Sequence, residues 1–245
     1  MIETFTALLF AHVLADFLFQ TNWIHANKAR PSVMLLHGVI VLITAQAALG
    51  RVDAPELLVL ALTHIAIDIA KTSGRFGGLS GFLMDQTAHL VTLMAIAAWA
   101  PGLWQSGWWA AWPEILPLMA LATGLTVTLI AGQYAVGLLM YPHGVRIRNN
   151  GLRQGGRQIG VLERGLIFAL LLTDLALGVG FLIAAKSILR FGTASHDQRT
   201  AEYVIIGTLA SFGWAILAAL ATRALLTWLP PLELLAPNSL SGSGI

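Results

Sequence analysis

The chain of 245 residues contains no cysteine. Disulfides and thiolate metal sites are therefore excluded, and any bound metal must rest on His, Asp, Glu or backbone oxygen. Charge is scarce as well. Asp, Glu, Lys and Arg make up 11% of the residues and hydrophobic types 57%, against about 25% and about 45–50% in ordinary soluble domains. A mean hydropathy of +0.76 points the same way. Such a chain has more apolar surface than one soluble core can cover, so it reads as an all-α integral membrane protein whose first partner is the lipid bilayer. The formal net charge of +2 is too small to argue for nucleic acid. No Ser-His-Asp or Cys-His arrangement, P-loop or dinucleotide fingerprint is present. Glu3 stands where a signal peptide carries Lys or Arg, and no small-residue cleavage site ends the first apolar run. That run is expected to stay as a permanent helix.

What the chain does contain is a repeat. His12-Val-Leu-Ala-Asp16 recurs as His64-Ile-Ala-Ile-Asp68, and each copy is followed by a lone His, His37 and then His89. The offsets 12 to 64, 16 to 68 and 37 to 89 are all 52 residues. With only 7 histidines in the chain, the third coincidence is not a by-product of the first two. A fixed period dictates architecture, and this one predicts a duplicated helical hairpin.

A spanning helix needs roughly 20 apolar residues to cross about 30 Å of hydrocarbon. Seven segments are expected to span: 4–24, 33–50, 55–73, 86–101, 113–140, 161–186 and 201–228. The resulting division is a duplicated His/Asp core over 1–100, a three-helix bundle over 113–228 and a tail over 229–245. Pro101 to Pro113 reads as the linker between the first two. If the N-terminus lies outside, the inner side holds Lys28, Arg30, Lys71, Arg75, Arg146, Arg148, Arg153, Arg157, Arg164 and Arg223. Arg51, Lys186, Arg190 and Arg199 are left outside, 10 against 4, which favours N-out by the positive-inside rule. The tryptophans at 99, 104, 108, 109 and 112 then fall at the outer interface.

Residues i and i+4 share a helix face, so His12 with Asp16, and His64 with Asp68, each point one way. At 1.5 Å of rise per residue, Asp16 and Asp68 lie roughly 18–20 Å from the outer ends of their helices, and His37 and His89 about 6 Å from the inner ends of theirs. All six come to one level in the inner half, with Asp85 joining from just before the fourth helix. An unpaired Asp at mid-bilayer costs about 2.5–3.5 kcal/mol even on the lenient insertion scale, so these acids must be paired. Three arrangements satisfy that demand. One is a structural His–Asp network. A second is a metal site on His12, Asp16, His37, His64, Asp68, Asp85 and His89, suited to a divalent ion such as Zn, Mn or Fe. The third is a proton or cation relay.

In the metal reading the centre supports a metal-dependent hydrolase acting at the inner leaflet on a lipid or lipid-linked substrate. Asp16 or Asp68 is then the general base and Lys71 stabilises a developing oxyanion. A proton- or cation-coupled transporter and a structural or regulatory membrane subunit are the alternatives. Elsewhere, Glu163 and Arg164 precede the sixth span, and Asp174 needs a partner inside it, with Arg164 a candidate. Lys186, Ser187, Arg190 and Glu202 cluster at the outer end, where snorkelling and one ion pair account for them and a headgroup site is the sharper alternative. The Gly/Arg loop over 151–160 could form an anion nest, but topology alone explains it, and His25, His143 and His196 are expected in loops and receive no role.

The chain resembles a family of bacterial membrane proteins known as a domain of unknown function, DUF3307. The resemblance rests on His12-x-x-x-Asp16-Phe-x-x-Gln20 with Lys28, on His37, on His64-x-x-x-Asp68-x-x-Lys71 and on Asp85-Gln86-x-x-His89. A longer form of the family shares Gly156-Arg157-x-Ile159-Gly160 with Glu163-Arg164, Lys186-Ser187-x-x-Arg190 and Glu202-Tyr203-x-x-Ile206-Gly207-Thr208. The resemblance implies a bacterial multi-pass inner-membrane protein and brings no activity with it.

Overall fold

The structure, a computed structural model, describes residues 1–74, 76–143, 154–191 and 198–231, without the side chains of 189–191 and 200. Arg75, Arg146, Arg148, Arg153, His196, the Arg190 side chain and the tail from 232 onward lie outside the described residues.

Everything described is helical or turn, with no strand. Helix α1, Ile2–Val13, continues as a π-helical turn over Leu14–Phe19, and the short α2 covers Asn22–Asn27. Next come α3, Pro31–Leu49, α4, Pro55–Ser73, and α5, Gly78–Trp99. Proline in the first turn starts both α3 and α4, where its missing N–H has no helical partner to lose. Helix α6, Ile115–Thr126, runs through a second π turn, Val127–Ala131, into α7, Gly132–Met140. Last are α8, Gly155–Leu172, α9, Ala176–Phe191, and α10, Gln198–Leu226.

Among the described residues, five helices are long and apolar enough to cross a membrane: Ile2–Phe19, Pro31–Leu49, Gly78–Trp99, Ile115–His143 and Ala201–Leu226. Helix α4 is of similar length but carries Glu56, Asp68 and Lys71. Leu35, Val39, Ile43, Leu58, Leu62, Met84, Val91 and Met94 stand exposed on the outside of α3, α4 and α5. Apolar surface on that scale fits a lipid environment rather than water.

Helices α1, α3, α4 and α5 form a ring in which α1 packs on α3 and α5, and α4 packs on the same two. The inward stripes follow the sequence at helical spacing: Thr4, Leu8 and His12; Leu57, Leu60, His64 and Asp68; Gly81, Asp85, His89 and Leu93. Helix α6 packs on α1, and α7 on α5, so the second half leans directly on the ring.

Residues 100–112 do more than link. Trp104 is buried, its backbone N–H donates to Thr4 Oγ1, and Trp109 Nε1 donates to the Ala47 carbonyl at 2.7 Å. Gly50 ends α3 at φ +65°, and its carbonyl accepts from Trp108 N. The segment thus caps the ends of α1 and α3.

Two expected spans are redrawn. The fourth begins at Gly78 rather than 86, because the apolar turn Gly78–Met84 extends it, so Asp85 lies inside α5 and not before it. His89 is then roughly 16 Å from the start of its helix rather than about 6 Å. The expected sixth span, 161–186, is two antiparallel helices broken at Thr173–Asp174, where Asp174 takes φ +58°. Asp174 is therefore not mid-helix. It pairs with Arg223 at 2.6 Å, and Arg164 is not its partner.

Candidate metal centre

The π turn at Leu14–Phe19 carries Asp16. Single π turns inside α-helices often mark functional positions because they re-aim side chains. Here the turn sets Asp16 Oδ1 3.3 Å from His37 Nε2 and 3.3 Å from His64 Nε2. The two Nε2 atoms are 3.1 Å apart. Asp68 Oδ2 lies 3.4 Å from His37 Nε2 and 3.6 Å from His64 Nε2. Four ligand atoms from α1, α3 and α4 thus face one another across five short distances. His37, His64 and Asp68 are essentially inaccessible.

Hydrogen bonding cannot account for this packing. Each Nε2 carries at most one proton, so with both carboxylates ionised at most two of the five contacts can be hydrogen bonds. Asp16 Oδ1 and Asp68 Oδ2 are in fact buried without a hydrogen-bond partner among the described residues. Lys28 Nζ approaches Asp68 Oδ2 at 2.6 Å and neutralises the acid from one side. A tetrahedron with metal–ligand bonds of about 2.0–2.1 Å has edges of about 3.3–3.4 Å. The three spacings among Asp16 Oδ1, His37 Nε2 and His64 Nε2, 3.1–3.3 Å, are close to that length, and imidazole with carboxylate is a donor set that divalent transition ions accept. The residues are positioned to hold a metal. Nδ1 of His37 has no partner among the described residues, so nothing there holds that ring's tautomer.

A second set of ligands adjoins the first. Asp85 Oδ1 stands 3.6 Å from His89 Nε2, and ligand atoms of Asp68, Asp85 and His89 lie within 4.8 Å of one another. His12, His64 and His89 satisfy the same condition. The His64 and His89 rings stack with centroids 4.1 Å apart, and His12 leans on His89 at 5.0 Å. All seven residues named from the sequence therefore sit in one buried cluster.

Lys71 reaches Asp85 at 2.7 Å, not Asp16 or Asp68. Lys28, given no role from the sequence, holds Asp68 from the rim. Gln86 ties His12 to Asp85 within the second set, receiving the His12 contact at 3.3 Å on Oε1 and donating Nε2 to Asp85 at 3.2 Å. A Gln directly after Asp85 inside an apolar helix was the available sign of it. His25 is not in a loop but in α2, where it meets Gln20 Nε2 at 3.3 Å and Tyr134.

In the second half, Arg164 is buried and bridges α8 to the other π turn, donating Nε to Thr128 O at 2.9 Å and Nη2 to Leu129 O at 3.1 Å. Glu163 pairs with Lys186 at 2.5 Å. That pair is possible only because α8 and α9 fold back, and it removes Lys186 from the opposite face where sequence had put it.

Residues 4–112 match a family model, and all seven cluster residues fall inside the match. The likeness expected over Gly156–Thr208 is not part of it. No curated protein and no solved structure matches the chain. Over these residues, its His/Asp half, the chain is similar to the family described as protein of unknown function (DUF3307).

Proposed function

We propose that this protein is a membrane-embedded metal-binding protein whose His/Asp centre works as a metal-dependent hydrolase on a lipid-type substrate. One observation carries the reading: His37 Nε2, His64 Nε2, Asp16 Oδ1 and Asp68 Oδ2 converge at 3.1–3.6 Å with more contacts than protons. A divalent ion there would polarise a carbonyl or phosphoryl oxygen and make bound water acidic. His12, Asp85 and His89 exceed what one closed structural site needs, and so support a second metal position with Asp68 between the two. Lys71 and Lys28 stand at the rim, 29% and 12% exposed, where they can meet an anionic group of the substrate.

The ring is read as the duplicated hairpin. Under the 52-residue shift His37–His64 becomes His89–His12, and their ring distances are 5.1 Å and 5.0 Å. The fold-back of α8 and α9 also strengthens the N-out reading in a bacterial inner membrane. It returns Lys186, Arg190 and Arg199 to the arginine-rich side. Arg223, beside the Asp174 turn, moves to the far side with Arg51, so the 10-to-4 division becomes 12 to 2 of the 14 basic residues.

The test is metal content. Detergent-purified protein, stripped with chelator and re-incubated with Zn or Mn, is expected to retain metal after desalting and to cleave an ester- or phosphodiester-bearing lipid. Protein that stays metal-free defeats the proposal. The Lys28–Asp68 and Lys71–Asp85 pairs favour one second reading, a cation-coupled transporter in which a transported cation displaces an ammonium. Loss of cation flux in Asp16→Asn proteoliposomes, with metal content intact, selects that reading instead.

A further inference from the structure

A cavity of about 910 Å³ opens between α7, α8, α9 and α10, away from the His/Asp centre. Three cations line it, Arg157, Arg164 and Lys186, with one acid, Glu163. Glu163 is taken by Lys186. Arg164 is 2% exposed, and its partners are all neutral: the carbonyls of Thr128 and Leu129, and Ser211 Oγ at 3.0 Å from Nη1. Among the described residues no carboxylate lies within ion-pair distance of Arg164 or Arg157. A buried cation without a counter-ion is costly, so the cavity is electrostatically incomplete.

The shape agrees with the charge. Arg157, Gly160 and Arg164 are spaced 3 and 4 apart on one face of α8. A Cβ on Gly160 would stand 3.1 Å from Arg164 Nη1, so glycine there keeps the guanidinium edge open. Guanidinium has five N–H donors. Three are used, which leaves one on each Nη. The remaining wall is largely apolar, with Met140, Leu182 and Val204. Ile159, also in the lining, is 53% exposed and carries the cavity out to the helix surface.

We propose that this cavity binds the phosphate of an anionic phospholipid, with Arg157 and Arg164 as the anion's partners and the acyl chains along the apolar wall. Paired N–H donors of arginine match phosphate oxygens, and the volume lies within the range of about 300–1,000 Å³ typical of ligand sites. This site is independent of the metal reading.

The experiment uses the full chain in lipid-free detergent and follows thermal unfolding with phosphatidylglycerol, phosphatidylcholine or inorganic phosphate. Phosphatidylglycerol alone is expected to raise Tm. Arg157→Gln should weaken its apparent affinity on the order of tenfold, the loss of one charge-assisted contact. Gly137→Leu should abolish the shift: Gly137 lines the cavity, and a Cβ there meets nothing within 4 Å, so the variant fills space without disturbing the fold. Equal shifts with phosphatidylcholine, or an undiminished shift in both variants, overturn the proposal. A shift of equal size with inorganic phosphate reassigns the site to free phosphate and overturns the lipid.

Discussion

His37 and His64, 27 residues apart on different helices, bring their Nε2 atoms to 3.1 Å, and Asp16 Oδ1 stands 3.3 Å from each. Two imidazole nitrogens facing one another and one acid is an arrangement that protons alone satisfy poorly. A divalent cation among them would resolve it.

Replacing either imidazole should therefore empty the centre. His37→Ala and His64→Ala are expected to weaken Zn affinity by more than the about 10–100-fold seen for outer-shell changes. His143→Ala, at an exposed turn, should leave it unchanged. Competition with a chromophoric chelator reads this directly, and equal affinity in all three variants would refute the ligand assignment.

Lys28→Met tests the ion pair at the rim. Asp68 is buried and Lys28 only 12% exposed, so removing the ammonium strands a charge. Breaking such pairs costs about 3–5 kcal/mol when fully buried, and the partial exposure of Lys28 puts the loss at or below the lower end. Saturating Zn should restore much of the lost Tm, since the ion replaces the missing positive charge. A variant as stable as the parent without metal contradicts this.

His25 sets an acid limb. It lies in α2, between spans, and its pKa is held below 6.5, first by partial burial and then by the charges of Lys28 and Lys71, against Asp68 and Asp85. The unfolded chain therefore binds more protons below pH 6.5. The contribution of His25 is complete above that value and is lost as pH falls through its lowered pKa. His25→Gln should flatten the wild-type fall in Tm below pH 6.5, and parallel curves for the two proteins would exclude the effect.

Gly107 permits the cap over α3. A Cβ there would run into the Leu49 carbonyl oxygen. Gly107→Ala is expected to lower Tm clearly, as strained small-to-large changes cost about 1–3 kcal/mol or more, while Gly102→Ala, with open space around it, should not. Matching Tm values would show that the cap does not pack on α3.

The turn at Asp174 makes an opposite prediction for two substitutions. Its φ of +58° suits glycine and penalises a branched side chain. The ion pair it would lose is exposed, worth about 0–1 kcal/mol. Asp174→Gly should leave Tm within a degree or two of wild type, roughly the effect of a few tenths of a kcal/mol. Asp174→Val should lower it further. The reverse order would place the strain elsewhere.

Much of the centre was legible because the information was local. The spacing of His12 with Asp16, and of His64 with Asp68, is a helix-face statement, and apolar flanks make an unpaired acid untenable in lipid. Membrane character follows from composition for the same reason. Lys28 and Gln86 entered only through the family resemblance and received no chemical role, because a lysine near a helix end and a glutamine beside an acid have ordinary explanations at the level of sequence.

What the chain's order of residues determined by itself is that it would be helical, apolar outside, and obliged to bring its buried acids and imidazoles together. Only the folded arrangement decided which atoms meet. The π turn that aims Asp16, the extra turns that place Asp85 inside α5, and the reversal at Asp174 that returns Lys186 to Glu163 all depend on packing between distant helices. Hydropathy averages over a window and sees none of these, since each turns on one residue's backbone or one side chain's partner.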